Sequence, residues 1–238
     1  MNRFFTEDIT GDTARITGED VKHIRKVLRL KQGDLVSVCD GRGTDWLGTI
    51  ASVSESEVTL TLSDEHPAPT ESPIRVTLFQ GIPKTGKTEN IVQKCTELGV
   101  AAVVPVTFAR CVAVPKGDYE KKLVRYRRVA FEAAKQSRRG RIPKVLPPVS
   151  PDNIPVNDFD TVLVAYEDEH GVTLKNALRS GNPGTRIALV IGPEGGLEES
   201  EVGMLKAKGA VPVSLGARIL RTETAGPAML ASVLYELE

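Results

Sequence analysis

The run Ile187-Ala188-Leu189-Val190-Ile191 leads directly into Gly192-Pro193-Glu194-Gly195-Gly196. A short, continuous apolar run of this kind is typical of a strand that is buried on both faces of a parallel sheet. The glycines and the proline behind it indicate a place where a ligand or another backbone approaches the end of the strand closely. A predicted helix then begins at Glu198. This stretch therefore predicts a strand–loop–helix unit of an α/β domain.

A second loop of this kind follows the next predicted strand, Val211–Ser214. It reads Leu215-Gly216-Ala217-Arg218-Ile219-Leu220-Arg221-Thr222-Glu223-Thr224-Ala225 and leads into the last predicted helix, Thr224–Leu237. Either loop alone fits an ordinary strand–helix turn. As a pair at the carboxyl ends of adjacent strands they indicate a ligand site, because open α/β sheets bind ligands there.

The whole chain divides into three predicted parts. Residues 74–238 alternate apolar strands with amphipathic helices and predict an α/β domain with a parallel sheet. Residues 67–73 contain three prolines and predict a linker. Residues 1–66 hold short alternating strands and one predicted helix, Gly18–Leu30, and predict a small β-barrel with an appended helix. The apolar face of this helix comprises Val21, Ile24, Val27 and Leu28.

The charge of the chain is distributed unevenly along the sequence. The chain has 238 residues, of which 40% are hydrophobic and 26% charged, and this composition excludes a disordered or fibrous protein. The formal net charge is zero, but Lys and Arg outnumber Asp and Glu by 16 to 5 in residues 74–150. A basic segment inside a neutral chain favours a local surface that binds a polyanion, and an RNA-binding module without catalysis is one interpretation.

The sequence also bears on location and on metal sites. The first residues lack the apolar core of a signal peptide and the longest apolar runs are too short to cross a bilayer, so we expect a cytoplasmic protein. The three cysteines and three histidines are scattered without the spacing of metal ligands. We therefore predict no metal site and no disulfide framework, and we expect buried, inert thiols.

One motif points to a different activity. Gly81-Ile82-Pro83-Lys84-Thr85-Gly86-Lys87-Thr88 matches the phosphate-binding pattern G-x-x-x-x-G-K-[ST] between a predicted strand and a predicted helix. In a nucleotide-binding loop, Lys87 would reach the outer phosphates and Thr88 would hold Mg²⁺. The alternative function is therefore a P-loop hydrolase or kinase that uses Gly81–Thr88. A basic strand-to-helix turn that binds no nucleotide is the other interpretation.

The loops at residues 191–196 and 215–225 closely resemble those of the bacterial 16S ribosomal RNA uridine-N3 methyltransferases. These are S-adenosylmethionine-dependent enzymes of the knotted SPOUT class. Three further motifs extend the resemblance over nearly the whole chain, namely Val21–Leu30, Gln93–Val100 and Ala134–Arg139. The family also carries a Pro-Lys-x-x-Lys pattern at the position of Pro83–Lys87 without a nucleotide, which favours an incidental P-loop match.

The resemblance implies a C-terminal SPOUT domain with a parallel sheet and a deep trefoil knot, preceded by an N-terminal PUA-like RNA-binding β-barrel. It implies a homodimer that transfers a methyl group from S-adenosylmethionine to N3 of a specific uridine in 16S ribosomal RNA of the small subunit. The glycines of the two loops would let bare backbone approach the adenosyl group. The implied donor-binding residues are Glu167, Ile191, Gly192, Pro193, Glu194, Gly195, Gly196, Leu215, Gly216, Ile219, Leu220 and Thr222.

Transfer to N3 requires uracil to lose its N3 proton, and the resulting charge spreads onto both carbonyl oxygens. Arg221 is the implied catalytic residue, because a guanidinium stabilises such an anion. Glu194 and Glu223 are candidate proton acceptors, and the alternative for both is a structural pairing with an arginine. The implied RNA contacts are Arg3, Lys22, Arg25, Arg29, Lys87, Arg138 and Arg139.

Overall fold

The computed structural model describes residues 1–84, 86–112 and 119–238. Contacts within the chain define two units. The first unit comprises Met1–Glu71 and Ala134–Ile142, and the second comprises Ser72–Ala133 and Pro143–Glu238.

The first unit is built on a six-stranded sheet. Its strands are β1 (Arg3–Phe5), β2 (Ile9–Thr10), β3 (Thr13–Thr17), β4 (Leu35–Cys39), β5 (Thr44–Val53) and β6 (Glu57–Pro67). The order across the sheet is β1-β4-β5-β6-β3-β2, with β1 parallel to β4 and the other neighbours antiparallel. Alternate residues of these strands, such as Ile16, Ile50 and Leu60, form one apolar core.

The helix predicted at Gly18–Leu30 is made of two short helices. α1 (Glu19–Lys22) continues into a π-helix, His23–Leu28, which ends at Arg29 with a left-handed φ of 54°. A π-helix has more residues per turn than an α-helix, so the spacing of its buried face changes. Ile24 is buried as predicted, but Val27 is turned outward and is 66% exposed. The prediction that Val27 lies on the buried face is therefore wrong.

The predicted linker contributes to the first unit. β6 extends through Pro67, which is paired with β5. The carboxylate of Glu71 accepts a hydrogen bond of 2.8 Å from the Gly140 N–H and pairs with Arg139. Glu71 thereby binds the segment Ala134–Ile142, which belongs to the first unit. The division into units thus differs from the predicted boundaries, because distant residues complete the first unit.

The second unit contains a six-stranded sheet whose paired strands run parallel. Its strands are β7 (Arg75–Gly81), β8 (Ala102–Val106), β9 (Lys144–Val145), β10 (Thr161–Ala165), β11 (Arg186–Ile191) and β12 (Val211–Val213). The order β12-β10-β11-β7-β8-β9 places β11 and β7 at the centre. Residues Ile187–Ile191 are all buried, which confirms the buried parallel strand predicted from this run.

The remaining helices are α2 (Lys87–Glu97), α3 (Glu120–Gln136), α4 (Leu174–Arg179), α5 (Glu199–Ala207) and α6 (Thr222–Leu237). Alternate residues of the central strands enter two cores. Leu78 and Leu189 pack in one core with residues of α2 and α6, and Phe79 and Val190 pack in the other with residues of α5. Within the part of the chain that the structure describes, no helix has the length and apolar character needed to cross a membrane.

The cysteines are free and buried, as predicted. Burial raises the pKa of Cys39 to about 11 and that of Cys95 to about 12. Since the thiolate is the reactive form, these thiols are inert at neutral pH.

Candidate active site

A cavity of about 700 Å³ lies at the carboxyl ends of β10, β11 and β12. A volume of this size suits a small-molecule ligand. The predicted donor-binding residues line this cavity, with the exception of Gly195, and so do Lys87 and Arg221. The fold therefore brings the two predicted loops together at one edge of the parallel sheet.

The strands that carry these loops are separated by a third strand. The sequence predicted adjacent strands, but β10 lies between β11 and β12, because the chain order of parallel strands does not fix their spatial order. The segment after β10 contributes Glu167, Glu169 and His170 to the cavity wall. Only Glu167 of these was predicted. The other two gave no signal in the sequence apart from following an apolar strand.

The loop after β11 lies directly against the end of β7. A Cβ atom built on Gly81 would lie 2.5 Å from the backbone N of Pro193 and 2.7 Å from the carbonyl carbon of Gly192. Close packing of backbone against backbone therefore requires glycine at position 81. The first glycine of the P-loop pattern thus has a structural role behind the cavity.

A buried hydrogen-bond chain joins β7, the loop after β11 and the start of α6. The Gln80 Nε2 donates to the Thr222 Oγ1 at 2.8 Å, and the Thr222 hydroxyl donates to the carbonyl oxygen of Gly192 at 2.7 Å. Gln80 and Thr222 are 1% and 5% exposed, so water does not compete for these bonds. Gln80 was not predicted, although a glutamine within an apolar strand is a signal that could have found it.

We expect Thr222→Val to lower the free energy of unfolding by about 1–3 kcal/mol, because the Gly192 carbonyl loses its donor and the Gln80 amide keeps only the Gly81 carbonyl of its two acceptors. The affinity for the cavity's ligand should fall as well, since Gly192 lines the cavity. Urea denaturation and calorimetry measure the two effects. Thr222→Ser keeps the hydroxyl and should restore both. Thr224→Val, at an exposed position of the same helix, is the matched control; an equal loss in this control would contradict the role of the hydroxyl.

Three charged side chains meet at the cavity. The Lys87 Nζ lies 3.0 Å from the Glu194 Oε1 and 3.1 Å from the Glu223 Oε2. The contact with Glu223 is an ion pair without hydrogen-bond geometry. Glu194 also accepts the backbone N–H of Lys84 at 3.0 Å. We call Lys87, Glu194 and Glu223 the Lys87 cluster.

Both carboxylates of the Lys87 cluster are poor proton acceptors. Burial raises the pKa of Glu194, but Lys87 and backbone N–H groups outweigh it, and the pKa lies below its usual value. The pKa of Glu223 is lowered by its own N–H and by Lys87, against the opposing effect of burial. A general base works best with a pKa near the working pH. The structure therefore does not support the predicted role of these two residues as proton acceptors.

Arg221 presents its side chain at the cavity. Its backbone is fixed because its carbonyl oxygen accepts the N–H groups of Thr224 and Ala225, both at 2.8 Å, at the start of α6. The side chain is exposed and lines the cavity. Among the described residues, no carboxylate forms an ion pair with its guanidinium. A positive charge with free donors therefore faces the space where a ligand binds.

The glycines of the two loops are required for different reasons. Gly196 and Gly216 adopt left-handed φ values of 74° and 118°, which other residues rarely adopt. Gly195 faces away from the cavity, since a Cβ atom there would lie 3.0 Å from the Cβ of Arg110. Arg110 also donates to the carbonyl oxygen of Gly195 at 3.1 Å. Gly195 packs against Arg110 and does not line the cavity, so its contact with the donor stays a prediction.

The P-loop pattern has different contacts here. Of the predicted loop Gly81–Thr88, Thr85 lies outside the described residues. The Lys84 N–H is bound to a carboxylate of the protein, and Lys87 is paired with two. In a nucleotide-binding loop these groups would face phosphates. Their engagement by Glu194 and Glu223 argues against the P-loop interpretation.

Two predicted RNA contacts have structural roles instead. The Arg3 guanidinium donates to both carboxylate oxygens of Asp45, at 2.8 and 2.7 Å, and Arg3 is mostly buried. Arg139 is 5% exposed and pairs with Glu71 at 2.8 Å. Guanidinium groups held in buried ion pairs are not accessible to a phosphate, so the prediction is corrected for both residues.

The other predicted RNA contacts of the first unit are accessible. Lys22, Arg29 and Arg138 are exposed, and Arg25 is half-buried with its guanidinium 3.8 Å from Glu55. An exposed ion pair of this length is weak and leaves Arg25 available.

Comparisons with known proteins agree with this geometry. A family model described as an RNA methyltransferase domain matches residues 70–234, and one described as an RNA methyltransferase PUA domain matches residues 16–63. The chain is 38% identical over 250 residues to the ribosomal RNA small subunit methyltransferase E of Bacillus subtilis, and the alignment covers 100% of this chain and 98% of that protein.

Two solved structures are similar along the whole chain. One is a ribosomal RNA small subunit methyltransferase E from Neisseria gonorrhoeae bound to S-adenosyl methionine, with 28% identity, a TM-score of 0.81, and 99% and 98% of the two chains covered. The other is a methyltransferase from Legionella pneumophila in complex with the bound cofactor SAM, with 28% identity, a TM-score of 0.81, and 98% and 97% covered.

These matches confirm the family predicted from the two loops. They also confirm the predicted α/β methyltransferase domain with a parallel sheet and the N-terminal PUA-like domain. Because the methyltransferase model covers more than half of the chain and the Bacillus relative aligns over all of it, this chain belongs to the RNA methyltransferase family of the ribosomal RNA small subunit methyltransferases E.

Proposed function

We propose that this protein transfers the methyl group of S-adenosylmethionine to N3 of one uridine in 16S ribosomal RNA, within the small ribosomal subunit. The observation that carries the proposal is the cavity at the carboxyl ends of β10, β11 and β12, faced by the free guanidinium of Arg221. Family membership gives the reaction class, and two relatives with similar structures bind this donor.

The cavity fits the proposed donor in size and in charge. Bare backbone at Gly216, where a Cβ atom would meet nothing within 4 Å, leaves room for a nucleoside against the main chain. The carboxylates of Glu167 and Glu169 in the wall favour a positively charged ligand. S-adenosylmethionine supplies a methyl group on a positively charged sulfur, so the protein mainly positions it and excludes water.

Arg221 acts on the acceptor. Uracil without its N3 proton carries negative charge on both carbonyl oxygens, and a guanidinium offers a permanent charge and several donors to those oxygens. Arg221 thereby favours the anionic form of the base, which forms when the N3 proton passes to water. The N3 lone pair would then bond to the methyl carbon as the sulfur–methyl bond breaks, and the neutral thioether would leave with that electron pair. Glu194 and Glu223 retain the Lys87 ammonium and do not take the proton.

The first unit binds the RNA. Phosphate contacts position a nucleic acid, and the accessible basic residues of the PUA-like domain supply them. We assign this role to Lys22, Arg25, Arg29 and Arg138. The uridine must leave its stack to enter the cavity, since enzymes that modify a base take it out of the helix.

The assembly and the chain path are part of the proposal. A homodimer is the commonest symmetric assembly and is expected for this class of enzyme.

A trefoil knot is supported by the course of the chain from β12, at the sheet edge, to Thr222, which is bonded to Gly192 and Gln80 at the sheet centre. Ribosomal RNA as substrate supports a cytoplasmic location.

The function is tested with 16S ribosomal RNA and with small subunits that lack the modification. After incubation with the protein and S-adenosylmethionine, mass spectrometry of the nucleosides should show 3-methyluridine at one position. Methylation of another atom would contradict the acceptor, and no methylation of either substrate would contradict the proposal. Calorimetry should show binding of S-adenosylmethionine; binding of ATP with Mg²⁺ instead would favour the P-loop alternative.

A further inference from the structure

Lys87 connects three separate segments of the chain around the donor cavity. It is the first residue of α2, Glu194 lies in the loop after β11, and Glu223 lies in the first turn of α6. We propose that Lys87 is a positioning residue for methyl transfer, whose ammonium group holds these three segments in the arrangement that binds the donor. The inference rests on the proposed function, because it concerns the same cavity.

The two carboxylates need the ammonium group between them. Since each oxygen lies about 3 Å from the Lys87 Nζ, the Glu194 and Glu223 oxygens are at most about 6 Å apart. Their side chains are only 22% and 19% exposed, so water screens them incompletely. Like charges at this distance repel each other. Without Lys87 the carboxylates would separate and move the loop and the helix that carry them.

Those two segments also carry the donor-binding and catalytic groups. Glu194 follows Pro193, whose backbone packs against Gly81, and Glu223 is two residues from Arg221. A shift of the Lys87 cluster therefore changes the cavity wall on one side and the position of the guanidinium on the other. Lys87 acts through these residues and not as a chemical group of the reaction.

The same contacts argue against the predicted role of Lys87 as a phosphate contact. Its charge is already opposed by two carboxylates, and this pairing raises the pKa of Lys87, so that it stays protonated. Among the described residues, the groups that interact with the cluster include the Lys84 N–H and Cys111 near Glu194, Arg221 near Glu223, and the backbone N–H groups of both glutamates. The positive charge of Lys87 is thus neutralised within the cluster, and the residue offers no excess charge to a phosphate.

The test compares Lys87→Met with the wild-type protein by calorimetry with S-adenosylmethionine. We expect Lys87→Met to weaken donor binding roughly tenfold or more. Lys87→Arg keeps the charge and should bind within about threefold of wild type. Glu223→Gln added to Lys87→Met removes the repulsion and should recover part of the affinity. Lys94→Met is the matched control, since Lys94 is exposed on the same helix and pairs with Glu97 of that helix.

The pH dependence separates positioning from a general loss of stability. In Lys87→Met the carboxylates lose the ammonium that lowers their pKa and face each other's charge, so one of them takes up a proton at a higher pH than in the wild-type protein. Donor binding by this variant should therefore improve toward acid pH, while wild-type binding should not. Circular dichroism checks that each variant is folded.

The outcomes are distinguishable. Wild-type affinity in Lys87→Met together with a loss of RNA binding would overturn the inference and restore the phosphate contact. A loss of affinity that is independent of pH and is not recovered by Glu223→Gln would overturn it as well. Failure of the wild-type protein to bind S-adenosylmethionine would overturn the proposed function, and this inference with it.

Discussion

Gly81→Ala is expected to weaken the binding of S-adenosylmethionine by about ten- to a hundredfold, which corresponds to about 1–3 kcal/mol of overpacking. The added methyl group would lie 2.5 Å from the N of Pro193 and 2.7 Å from the carbonyl carbon of Gly192. Both are backbone atoms of the loop that lines the cavity, so the loop itself has to move. Calorimetry with the purified variant measures the loss.

The control for this change is Gly203→Ala on the exposed face of α5. A Cβ atom at Gly203 meets no other atom within 4 Å, so alanine should leave donor binding unchanged. Wild-type donor affinity in Gly81→Ala would show that the loop tolerates the displacement, and the packing of Gly81 would then have no bearing on the site. If Gly81→Ala instead lost binding of ATP and kept binding of S-adenosylmethionine, the result would favour a nucleotide-binding loop.

Arg221→Ala is expected to lower kcat for methyl transfer by about a hundred- to a thousandfold, the usual cost of removing a group that stabilises a developing negative charge. The Kd for S-adenosylmethionine should change by less than about threefold, because the guanidinium acts on the acceptor. At higher pH, N3 of uracil loses its proton without assistance. The rate of the variant should therefore rise more steeply with pH than the wild-type rate.

Arg218→Ala is the comparison, because Arg218 is exposed in the same loop and lines the same cavity. It removes the same charge and should lower kcat much less. Equal losses of kcat in the two variants would assign the effect to the general charge of the loop. Equal losses of donor binding and of kcat in Arg221→Ala would assign Arg221 to donor binding.

The sequence predicts the second unit well because its pattern is local. An apolar run such as Ile187–Ile191 predicts a strand that is buried on both faces of the sheet, and the glycines that follow it indicate where the strand ends. The carboxyl ends of parallel strands lie at one edge of the sheet, so the position of the cavity follows from the order of strands and glycine-rich loops in the sequence. The spatial order of the strands does not follow, and β10 therefore separates the two loops against expectation.

The roles of charged residues could not be predicted, because they depend on partners that are distant in the sequence. From the sequence alone, Lys87 and Arg139 are predicted as basic surface residues. In the structure Lys87 pairs with Glu194 and Glu223, and Arg139 pairs with Glu71. The exposure of Val27 has a more local cause, since one extra residue per turn in the π-helix rotates it away from the core. Sequence periodicity assumes a regular helix and cannot register that change.

The attachment of Ala134–Ile142 to Glu71 makes the first unit discontinuous in the chain. Cutting the polypeptide after residue 73 would not yield two autonomous modules, because the amino-terminal fragment would lack nine residues of its own fold. The PUA-like unit and the methyltransferase unit are therefore interleaved along the chain and cannot be exchanged as two consecutive segments. A chimaera would have to transplant both stretches of the first unit together.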